Sequence, residues 1–208
     1  MSGALLLHAG LAELGLDQPL ATEEKLLAYL ALLAKWNRTY NLTAVRDEAA
    51  MVAVHLLDSL AVLPHLGAIR SLADVGSGGG LPGIPLALAW PELALSLIES
   101  SQKKASFLMQ AKIELGLANV SIECARAEEV APMALFEAVI SRAFSDLAAF
   151  VHSAGHLLAP GGRLLAMKGV HPYEEIARLP PAWRLTHCLP LAVPGLSAER
   201  HLIVIERA

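Results

Sequence analysis

The chain has 208 residues, 55% of them hydrophobic, and a formal net charge of −4 at pH 7. This length fits one large domain, or one domain with a small appendage, and the apolar content is ample for a core. The acidic balance excludes binding of nucleic acid through an overall positive field, so such a role must rest on local basic patches. No stretch is long and apolar enough for a membrane helix, and no basic segment precedes the first apolar run. We therefore expect a cytoplasmic protein without a membrane span.

The first part of the chain predicts helices. One covers residues 3–15 and stops near Gly15, and a second begins with Thr22 as its N-cap. The stretch 35–47 follows as a loop that mixes basic residues, amides and the aromatic residues Trp36 and Tyr40. Two interpretations of it are equally good: a helix end whose aromatic side chains anchor the core, or an edge that faces RNA.

A third helix is predicted over residues 48–63, and it contains His55 and Asp58 three positions apart. We interpret this pair as packing at a domain junction rather than as a catalytic dyad, because no nucleophile stands near it in the sequence.

From residue 71 on, strand and helix patterns alternate, which indicates a parallel sheet with right-handed crossovers. Strands are predicted at 71–75, 94–99, 119–124, 137–141 and 163–168, with a closing antiparallel pair at 184–191 and 201–206. Helices are predicted at 82–90, 102–116, 127–132 and 145–159. Gly116 follows one helix, and Pro160-Gly161-Gly162 separates the last helix from its strand. The fold class is therefore α/β, a mostly parallel sheet flanked by helices.

A glycine-rich turn joins the first of these strands to the next helix. It runs Asp74-Val75-Gly76-Ser77-Gly78-Gly79-Gly80-Leu81-Pro82-Gly83. Glycine permits positive φ and close approach of a ligand to the backbone, and a helix that opens after such a turn directs unpaired N–H groups at that ligand. Pro82 suits the first helical position. The turn predicts a site for a nucleotide-type cofactor.

The spacing of the glycines distinguishes between two cofactors. The dinucleotide fingerprint G-x-G-x-x-G requires a third glycine where Leu81 stands. Instead Asp74, Gly76, Gly78 and Gly80 form Asp-x-Gly-x-Gly-x-Gly, which resembles the first motif of class I methyltransferases that use S-adenosylmethionine (AdoMet). We therefore expect AdoMet as the cofactor, with these four residues at its site.

Acidic residues follow the next two strands. Glu99 lies at a distance from the glycines that suits the hydroxyls of a ribose, although it could instead cap the helix after it. Ala127 and Glu128 follow the third strand, where a backbone N–H and an acid could hold an adenine. An exposed helix start explains those two residues equally well.

Basic residues end or open the remaining strands. Arg142 ends the fourth strand and needs a partner, which a ligand carboxylate, an RNA phosphate or Glu128 could supply. Lys168 ends the fifth strand. It either takes part in a site at this edge of the sheet or extends its ammonium group into solvent. Arg200 and His201 open the last strand and add positive charge near the same edge.

Six segments together resemble the RsmG family, formerly called glucose-inhibited division protein B. They are KWNRTYNLTAVRD (35–47), HLLDSLAVLPHL (55–66), DVGSGGGLPGIPLA (74–87), VISRAF (139–144), MKG (167–169) and ERHLIVIE (199–206). The resemblance spans nearly the whole chain. It implies a class I (Rossmann-like) AdoMet-dependent methyltransferase domain over 67–208, with a small helical N-terminal segment over 1–66 packed on it.

The resemblance also implies the activity, which is transfer of a methyl group to N7 of one guanine in the decoding-region loop of bacterial 16S ribosomal RNA. By match to the family motifs, the cofactor contacts are Gly76, Leu81, Ala127, Glu128 and Arg142, with Glu99 on the ribose. Two positions depart from the family pattern: Ala127 replaces a larger apolar residue found in many members, and Gly79 replaces Pro or Ala found in some.

Guanine N7 has a free lone pair, so we expect direct displacement without a general base, with catalysis resting on placement. Arg142 and Lys168 are the residues expected at the reaction centre. Residues expected to contact the RNA by stacking, hydrogen bonds or phosphate contacts are Arg38, Tyr40, Asn41, Phe144, Lys168, Arg200 and His201. The expected partner is 16S ribosomal RNA or the small ribosomal subunit, and the expected state is a monomer.

Cys124 and Cys188 stand in apolar segments, and we predict two buried, reduced thiols. The eight histidines are scattered without ligand spacing, so no metal site is expected. Three other functions compete with the rRNA methyltransferase: an NAD(P)-dependent oxidoreductase, a non-catalytic RNA-binding or assembly factor, and a methyltransferase for small molecules.

Overall fold

The computed structural model describes residues 2–142, 144 and 146–208, with the side chain of Glu48 left out. These residues form a sheet of seven strands in the order β3-β2-β1-β4-β5-β7-β6. The strands are β1 (Ser71–Val75), β2 (Ala94–Ile98), β3 (Val120–Glu123), β4 (Phe136–Ser141), β5 (Leu158–Lys168), β6 (Trp183–Pro190) and β7 (His201–Arg207). Neighbours from β3 to β5 are parallel, whereas β7 is antiparallel to both β5 and β6. The α/β class and the antiparallel closing pair are thereby confirmed.

Helices cover both faces of this sheet. They are α1 (Gly3–Glu13), α2 (Leu20–Tyr40), α3 (Glu48–Met51), α4 (Asp58–Leu60), α5 (Gly83–Ala89), α6 (Gln102–Leu115), α7 (Leu147–Ala154) and α8 (Tyr173–Ala177). A π-helical segment, Val52–Leu57, joins α3 to α4, and short 3₁₀ turns lie at Leu63–His65, Ala127–Glu129 and Gly155–Leu157. None of the helices in the described residues is long and apolar enough to cross a bilayer.

Two hydrophobic clusters lie on opposite faces of the sheet. Successive residues of the central strands alternate between the two clusters. Leu72 of β1 and Ile140 of β4 belong to one cluster, and their chain neighbours Ala73 and Val139 belong to the other. This is the alternation that a strand imposes, and burial on both faces explains why these strands are almost continuously apolar.

The N-terminal helices share one of these clusters with the sheet. Leu7 of α1, Leu33 of α2 and Leu57 of the π-helical segment are buried in the same cluster as Leu72 of β1. Residues far apart in sequence thus bury their apolar side chains together, which places the helical segment against one face of the sheet.

Two details of the N-terminal prediction are wrong. Helix α2 begins at Leu20 after Pro19, so Thr22 lies inside it and is not its N-cap. The same helix continues to Tyr40 and ends at Asn41, whose φ of 50° is left-handed. Only the part of 35–47 after Tyr40 is therefore a loop. By contrast α1 ends before Gly15, whose φ is 68°, which confirms that boundary.

The predicted regular helix over 48–63 is interrupted. Its middle is π-helical, and the Asp58 N–H donates to Ala53 O, five residues back. This wider turn holds more residues than an α-helical turn, and such segments often occur at functional sites.

The segment predicted as a helix over 145–159 is shorter than expected. Its first predicted residue, Ser145, lies outside the described residues, and α7 ends at Ala154. Strand β5 already begins at Leu158, so Pro160-Gly161-Gly162 lies within the strand rather than before it. A Cβ on Gly162 would come within 3.1 Å of the carbonyl oxygens of Phe136, Glu137 and Ala159. The glycine is needed where the register between β4 and β5 shifts.

Three smaller differences remain. The helix expected over 127–132 is only the 3₁₀ turn Ala127–Glu129, and α8 was not predicted. Cys124 is exposed and Cys188 is half-buried. Both thiols are free, but the prediction that Cys124 is buried is wrong, because the residue directly follows β3, an edge strand.

Candidate cofactor and substrate site

The candidate site lies where the order of the strands reverses. From β1 the chain proceeds outward to β2 and β3, and it then returns to β4 on the other side of β1. The carboxyl ends of β1 and β4 therefore border a crevice, which is where open α/β sheets bind ligands. The glycine turn follows β1 at this point.

The glycine turn requires glycine at alternate positions. Gly76, Gly78 and Gly80 have φ values of 70°, 57° and 85°, a region that strains any other residue. A Cβ on Gly80 would lie 2.4 Å from Ile84 Cδ1, so that glycine is also required by packing. A Cβ on Gly78 would meet only Gly76 O, at 3.8 Å. Gly78 thus faces open space, as the floor of a binding site would.

The backbone N–H groups of the turn are largely used inside the protein. Those of Gly76 and Ser77 donate to Ile98 O at 2.9 and 3.2 Å, and those of Gly80 and Leu81 donate to Ser77 O at 2.7 and 3.0 Å. This overturns the expectation that the helix start directs unpaired N–H groups at the ligand. Leu81 itself is buried, so it can support the turn but presents little surface.

Asp74 braces the turn from below. Its Oδ2 accepts the Gly83 N–H at 2.8 Å, and the side chain is fully buried. No partner for Oδ1 is found among the described residues, and burial raises the pKa of the carboxyl to about 7. This buried carboxyl holds the turn in place, and the direct cofactor contact expected of it stays a prediction.

Glu99 joins the turn to the end of β2. Its Oε2 accepts the Gly78 N–H and its Oε1 accepts the Ser101 N–H, both at 2.8 Å. The carboxylate thus binds the turn and also the start of the following helix. Each carboxylate oxygen can accept a second hydrogen bond, so a ribose contact stays a prediction that this geometry allows.

A cavity of about 170 Å³ opens beside the turn. It brings together Gly76, Ala127 and Glu128, three of the residues expected at the cofactor. Phe144, expected to stack on RNA, lines the same cavity and packs on Phe150 with ring centroids 5.1 Å apart. The Phe144 ring thus lies at the cavity, and its stacking on RNA stays a prediction. The volume is below the roughly 300 Å³ of a whole small-molecule pocket, so it suits one part of a ligand.

Glu128 lies at the exposed rim of this cavity. Ser153 Oγ donates to its Oε1 at 2.5 Å, and this hydrogen bond lowers the pKa of the carboxyl. The charged form is therefore favoured at the rim.

Arg142 has partners that the sequence did not indicate. Its Nη1 donates to Asp58 Oδ2 and to Val54 O, each at 3.1 Å, rather than to Glu128. The carbonyl is accessible because the Asp58 N–H donates to Ala53 O within the π-helical segment. Arg142 is thereby fixed at the end of β4.

Asp58 also binds Arg200. Its Oδ1 accepts from Arg200 Nε at 2.9 Å, and the carboxylate itself is buried. Arg200 thus has a partner within the protein, and its contact with an RNA phosphate stays a prediction. One carboxylate between two guanidinium groups leaves one net positive charge at this junction.

His55 does not pair with Asp58. Its Nε2 lies 2.8 Å from Thr43 Oγ1, and burial, with the nearby Arg142 charge, lowers the pKa of the imidazole to about 4. The ring is therefore neutral near pH 7. This agrees with packing rather than with a catalytic dyad.

Lys168 and His201 are engaged in local structure. Lys168 Nζ donates to Glu175 Oε2 at 2.7 Å and to Phe144 O at 3.1 Å. His201 Nδ1 lies 2.8 Å from Gly169 O. The Glu175 carboxylate thus offsets the charge of Lys168, and the expected role of this residue at the reaction centre or at the RNA stays a prediction.

The end of α2 presents the remaining candidates. Arg38 and Asn41 are exposed, and Tyr40 is 41% exposed and stacks on Trp36 with centroids 5.1 Å apart. Trp36 in turn packs against Phe107 of α6. Trp36 therefore anchors the core whereas Tyr40 faces solvent, and the contact of this edge with RNA stays a prediction.

Tyr29 is a residue of the site that sequence reasoning missed. Its buried hydroxyl donates to Gly79 O at 2.5 Å, across 50 residues. A Cβ on Gly79 would lie 3.0 Å from Leu33 Cδ1, so α2 packs directly on the turn. One signal could have indicated this: a tyrosine among aliphatic core positions needs a partner for its hydroxyl.

Among the residues described, no three His, Cys, Asp or Glu side chains come together as a metal site requires.

Comparison with known proteins shows the family to which this chain belongs. The family model described as rRNA small subunit methyltransferase G matches residues 22–203. Proteins named ribosomal RNA small subunit methyltransferase G are 62% identical in Aromatoleum aromaticum, over 98% of this chain and 99% of that protein, and 57% identical in Nitrosospira multiformis, over 100% and 99%.

Solved structures with the same architecture are methyltransferases of low sequence identity. The O-methyltransferase TomG from Streptomyces achromogenes, solved in complex with SAM (AdoMet), has a TM-score of 0.59 at 20% identity, covering 86% of this chain and 89% of its own. TrmN from Thermus thermophilus has a TM-score of 0.56 at 19% identity, covering 83% and 53%. The fold is that of class I AdoMet-dependent methyltransferases, and the chain belongs to the rRNA small subunit methyltransferase G family.

Proposed function

We propose that this protein transfers a methyl group from AdoMet to N7 of a guanine in the 16S ribosomal RNA of the small subunit. Support comes from the relative in Aromatoleum aromaticum, which matches almost end to end and is named for small subunit rRNA methylation. The N7 position follows from the family resemblance of the sequence motifs. A monomer without a metal ion is the state we propose for the active enzyme.

The residues at the crevice fit the proposed cofactor. The open side of Gly78 admits a ligand close to the backbone, and the adjoining cavity with Ala127 and Glu128 has room for one part of it, which we take to be the adenine. Glu99 lies at the turn where it could reach the ribose hydroxyls. When AdoMet is bound, the chemistry it supplies is a methyl group activated on a sulfonium.

The same turn disfavours a dinucleotide cofactor. A pyrophosphate would need unpaired backbone N–H groups at the helix start. Here the Gly80 and Leu81 groups donate to Ser77 O, and the Gly83 group donates to Asp74. This supports AdoMet, which carries no phosphate, over NAD(P).

The surroundings of the crevice support displacement without a general base. Guanine N7 attacks with a lone pair that bears no proton at neutral pH, so no base is required. Three titratable groups near the turn have strongly shifted pKa values, Asp74, His55 and Tyr29, and all three are buried. None of them has the exposure that proton exchange with a bound base would need.

Arg142 is the residue we assign to positioning at the reaction site. Its guanidinium group is held by Asp58 and Val54 O on one side and stays 27% exposed. The net positive charge of Arg142, Arg200 and Asp58 suits an anionic group, either the cofactor carboxylate or an RNA phosphate. Such fixed placement of the reactants can contribute several kcal/mol to catalysis, on the order of the effects known for proximity.

The observation that carries this proposal is the glycine turn with its adjoining cavity at the strand reversal, in a chain that belongs to this family. The test is transfer of labelled methyl from AdoMet to small ribosomal subunits that lack the native modification. The product is mapped by cleavage specific for N7-methylguanine. One cleaved guanine is the expected result.

Other outcomes separate the alternatives. Transfer to a different position would retain the methyltransferase and discard the guanine N7 assignment. Ribosome binding without AdoMet binding would indicate a non-catalytic assembly factor. Transfer only to small molecules, or binding of NAD(P), would reject the proposal.

A further inference from the structure

A wide groove lies further along the same sheet edge, outside the cofactor cavity. It has a volume of about 850 Å³ and is lined by residues of 170–173, 190–192 and 199–201. These segments follow β5, follow β6 and lead into β7. Its volume falls within the roughly 300–1,000 Å³ typical of ligand sites.

Stacked aromatic rings form one wall of the groove. Tyr173 stacks on His171 with ring centroids 3.8 Å apart and planes 27° from parallel, and His171 meets His201 edge-on at 5.5 Å. Tyr173 and Val170 are each 74% exposed. The tyrosine thus has one ring face held by a histidine and the other open to solvent.

This arrangement matches the way proteins hold unpaired nucleobases. Single-stranded RNA is recognised by stacking of splayed bases on aromatic side chains. A ring already fixed by a neighbour loses little conformational freedom when a base stacks on it.

The charges lining the groove favour a base over a phosphate backbone. Arg200 lines the groove, and its charge is only partly compensated because Asp58 is shared with Arg142. Glu199 lines it as well and would repel a row of phosphates. Stacking on Tyr173, with one cation nearby, is therefore the expected source of affinity.

The groove faces the same edge as the glycine turn. Lys168 at the end of β5 pairs with His201 at the start of β7, and β1 is three strand positions from β7. At about 4.8 Å per strand this separation is roughly 14 Å. Asp58 joins the two regions, because it binds Arg142 beside the crevice and Arg200 at the groove.

We propose that this groove is a second RNA subsite, which holds an unstacked nucleobase of the segment flanking the acceptor guanine, with the base stacked on Tyr173. The proposal rests on the proposed function, because it assumes that RNA lies along this edge. It adds Val170, His171 and Tyr173 to the residues that contact the substrate.

Kinetics with unmodified small ribosomal subunits test the groove. Tyr173→Ala removes the ring, and we expect KM for the subunit to rise at least about fivefold, the smaller effect known for loss of one stacked base. Tyr173→Phe keeps the ring and retains the wild-type KM. Met133→Ala, at a fully exposed side chain elsewhere, serves as the control. AdoMet affinity, measured separately, stays unchanged in Tyr173→Ala.

A photo-crosslinking amino acid in place of Val170 gives a second, independent readout. Crosslinks to rRNA support the subsite, whereas crosslinks only to a ribosomal protein, or none, overturn it. An unchanged KM in Tyr173→Ala also overturns it. If the wild-type protein transfers no methyl group to the subunits, the proposed function fails, and the crosslinks still report whether RNA occupies the groove.

Discussion

Asp58 Oδ2 accepts a hydrogen bond from Arg142 Nη1 at 3.1 Å, although the two residues are 84 positions apart in the chain. The carboxylate comes from the N-terminal helical segment, and the guanidinium group stands at the end of a central strand. The same carboxylate binds Arg200 through its other oxygen. The orientation of the crevice arginine therefore depends on a residue outside the sheet.

Replacing Asp58 by Asn should impair both stability and activity. The neutral amide leaves two guanidinium charges without compensation. Their side chains are 27% and 22% exposed, so water recovers part of the cost, and we expect a loss of about 2 kcal/mol of unfolding free energy rather than roughly 3–5 kcal/mol. Urea unfolding and methyl transfer measure the two effects. Glu206→Gln breaks the exposed pair with Arg184 at 3.7 Å and should lower the unfolding free energy by less than about 0.5 kcal/mol. Equal losses of unfolding free energy in the two variants would contradict the role given to Asp58.

Replacing Arg142 by Lys should lower methyl transfer without a new pH dependence. A lysine lacks the planar guanidinium group whose Nη1 now donates to Val54 O and to Asp58, and its ammonium group stands at a different place on a flexible stem. We expect a decrease of about tenfold to a hundredfold, as for a small misplacement at a reaction centre. Rates are compared across the pH range with Arg184→Lys as a surface control. Activity recovered at high pH would instead indicate an acid–base role.

Replacing Gly78 by Ala should weaken cofactor binding, with a loss of stability limited to the strain of its left-handed backbone. The φ of 57° strains alanine by about 1–2 kcal/mol, while the new methyl group points into the open side of the turn. We expect AdoMet affinity to fall at least about tenfold, the equivalent of 1.4 kcal/mol. Gly116→Ala has similar strain, with a φ of 66° and no atom within 4 Å of its Cβ, and should leave the affinity unchanged. Calorimetric titration measures the AdoMet affinity of both variants and of the wild type. If Gly78→Ala binds AdoMet as tightly as the wild type, the ligand does not lie at this turn.

Replacing Asp74 by Asn should remove one pH dependence of stability. Burial raises the pKa of this carboxyl from 3.8 to about 7, so the folded protein holds the proton more tightly. Its contribution is fully present below about pH 4 and is lost as the pH rises through 7.

The unfolding free energy of Asp74→Asn relative to that of the wild type should therefore increase between pH 4 and 7, by an amount that approaches about 4 kcal/mol. His55, whose pKa is lowered to about 4, acts in the opposite direction between pH 4 and 6.5, but it is present in both proteins and cancels in the difference. Urea unfolding of both proteins at several pH values measures this difference in unfolding free energy. A difference that stays constant with pH would contradict the proposed titration.

Replacing Tyr29 by Phe should weaken the brace on the glycine turn. Gly79 O loses its partner, at a cost of about 1–2 kcal/mol, and the looser turn should bind AdoMet less tightly. Tyr40→Phe removes an exposed hydroxyl from the same helix and is the matched control. If both variants bind AdoMet like the wild type, the turn does not need this contact.

The local features of the site could be predicted, because their causes are local. Positive φ at Gly76, Gly78 and Gly80 follows from residue type and spacing, and the apolar runs of the central strands follow from burial on two faces. The direction of the turn's N–H groups could not be predicted. Ser77 and Asp74 compete for these donors by folding back on the turn, and composition does not show that competition.

Contacts between elements that are distant in the chain could not be predicted from the sequence, for a different reason. Periodicity indicates that Tyr29 and Asp58 face inward, but not which atoms they meet. Their partners depend on how the N-terminal helices dock on the sheet. The cofactor contacts of Glu99, Ala127 and Glu128 stay predictions, as does the division of the chain at residue 66.

The π-helical segment Val52–Leu57 holds an extra residue compared with ordinary α-helical geometry. Deleting Ala53 would let the helix return to that geometry without breaking it, and the side chains on either side, Asp58 among them, would keep nearly the same directions. The Asp58 N–H would then donate four residues back, to Val54 O, the carbonyl that Arg142 Nη1 contacts now. The extra residue therefore keeps a backbone acceptor available to the arginine of the crevice.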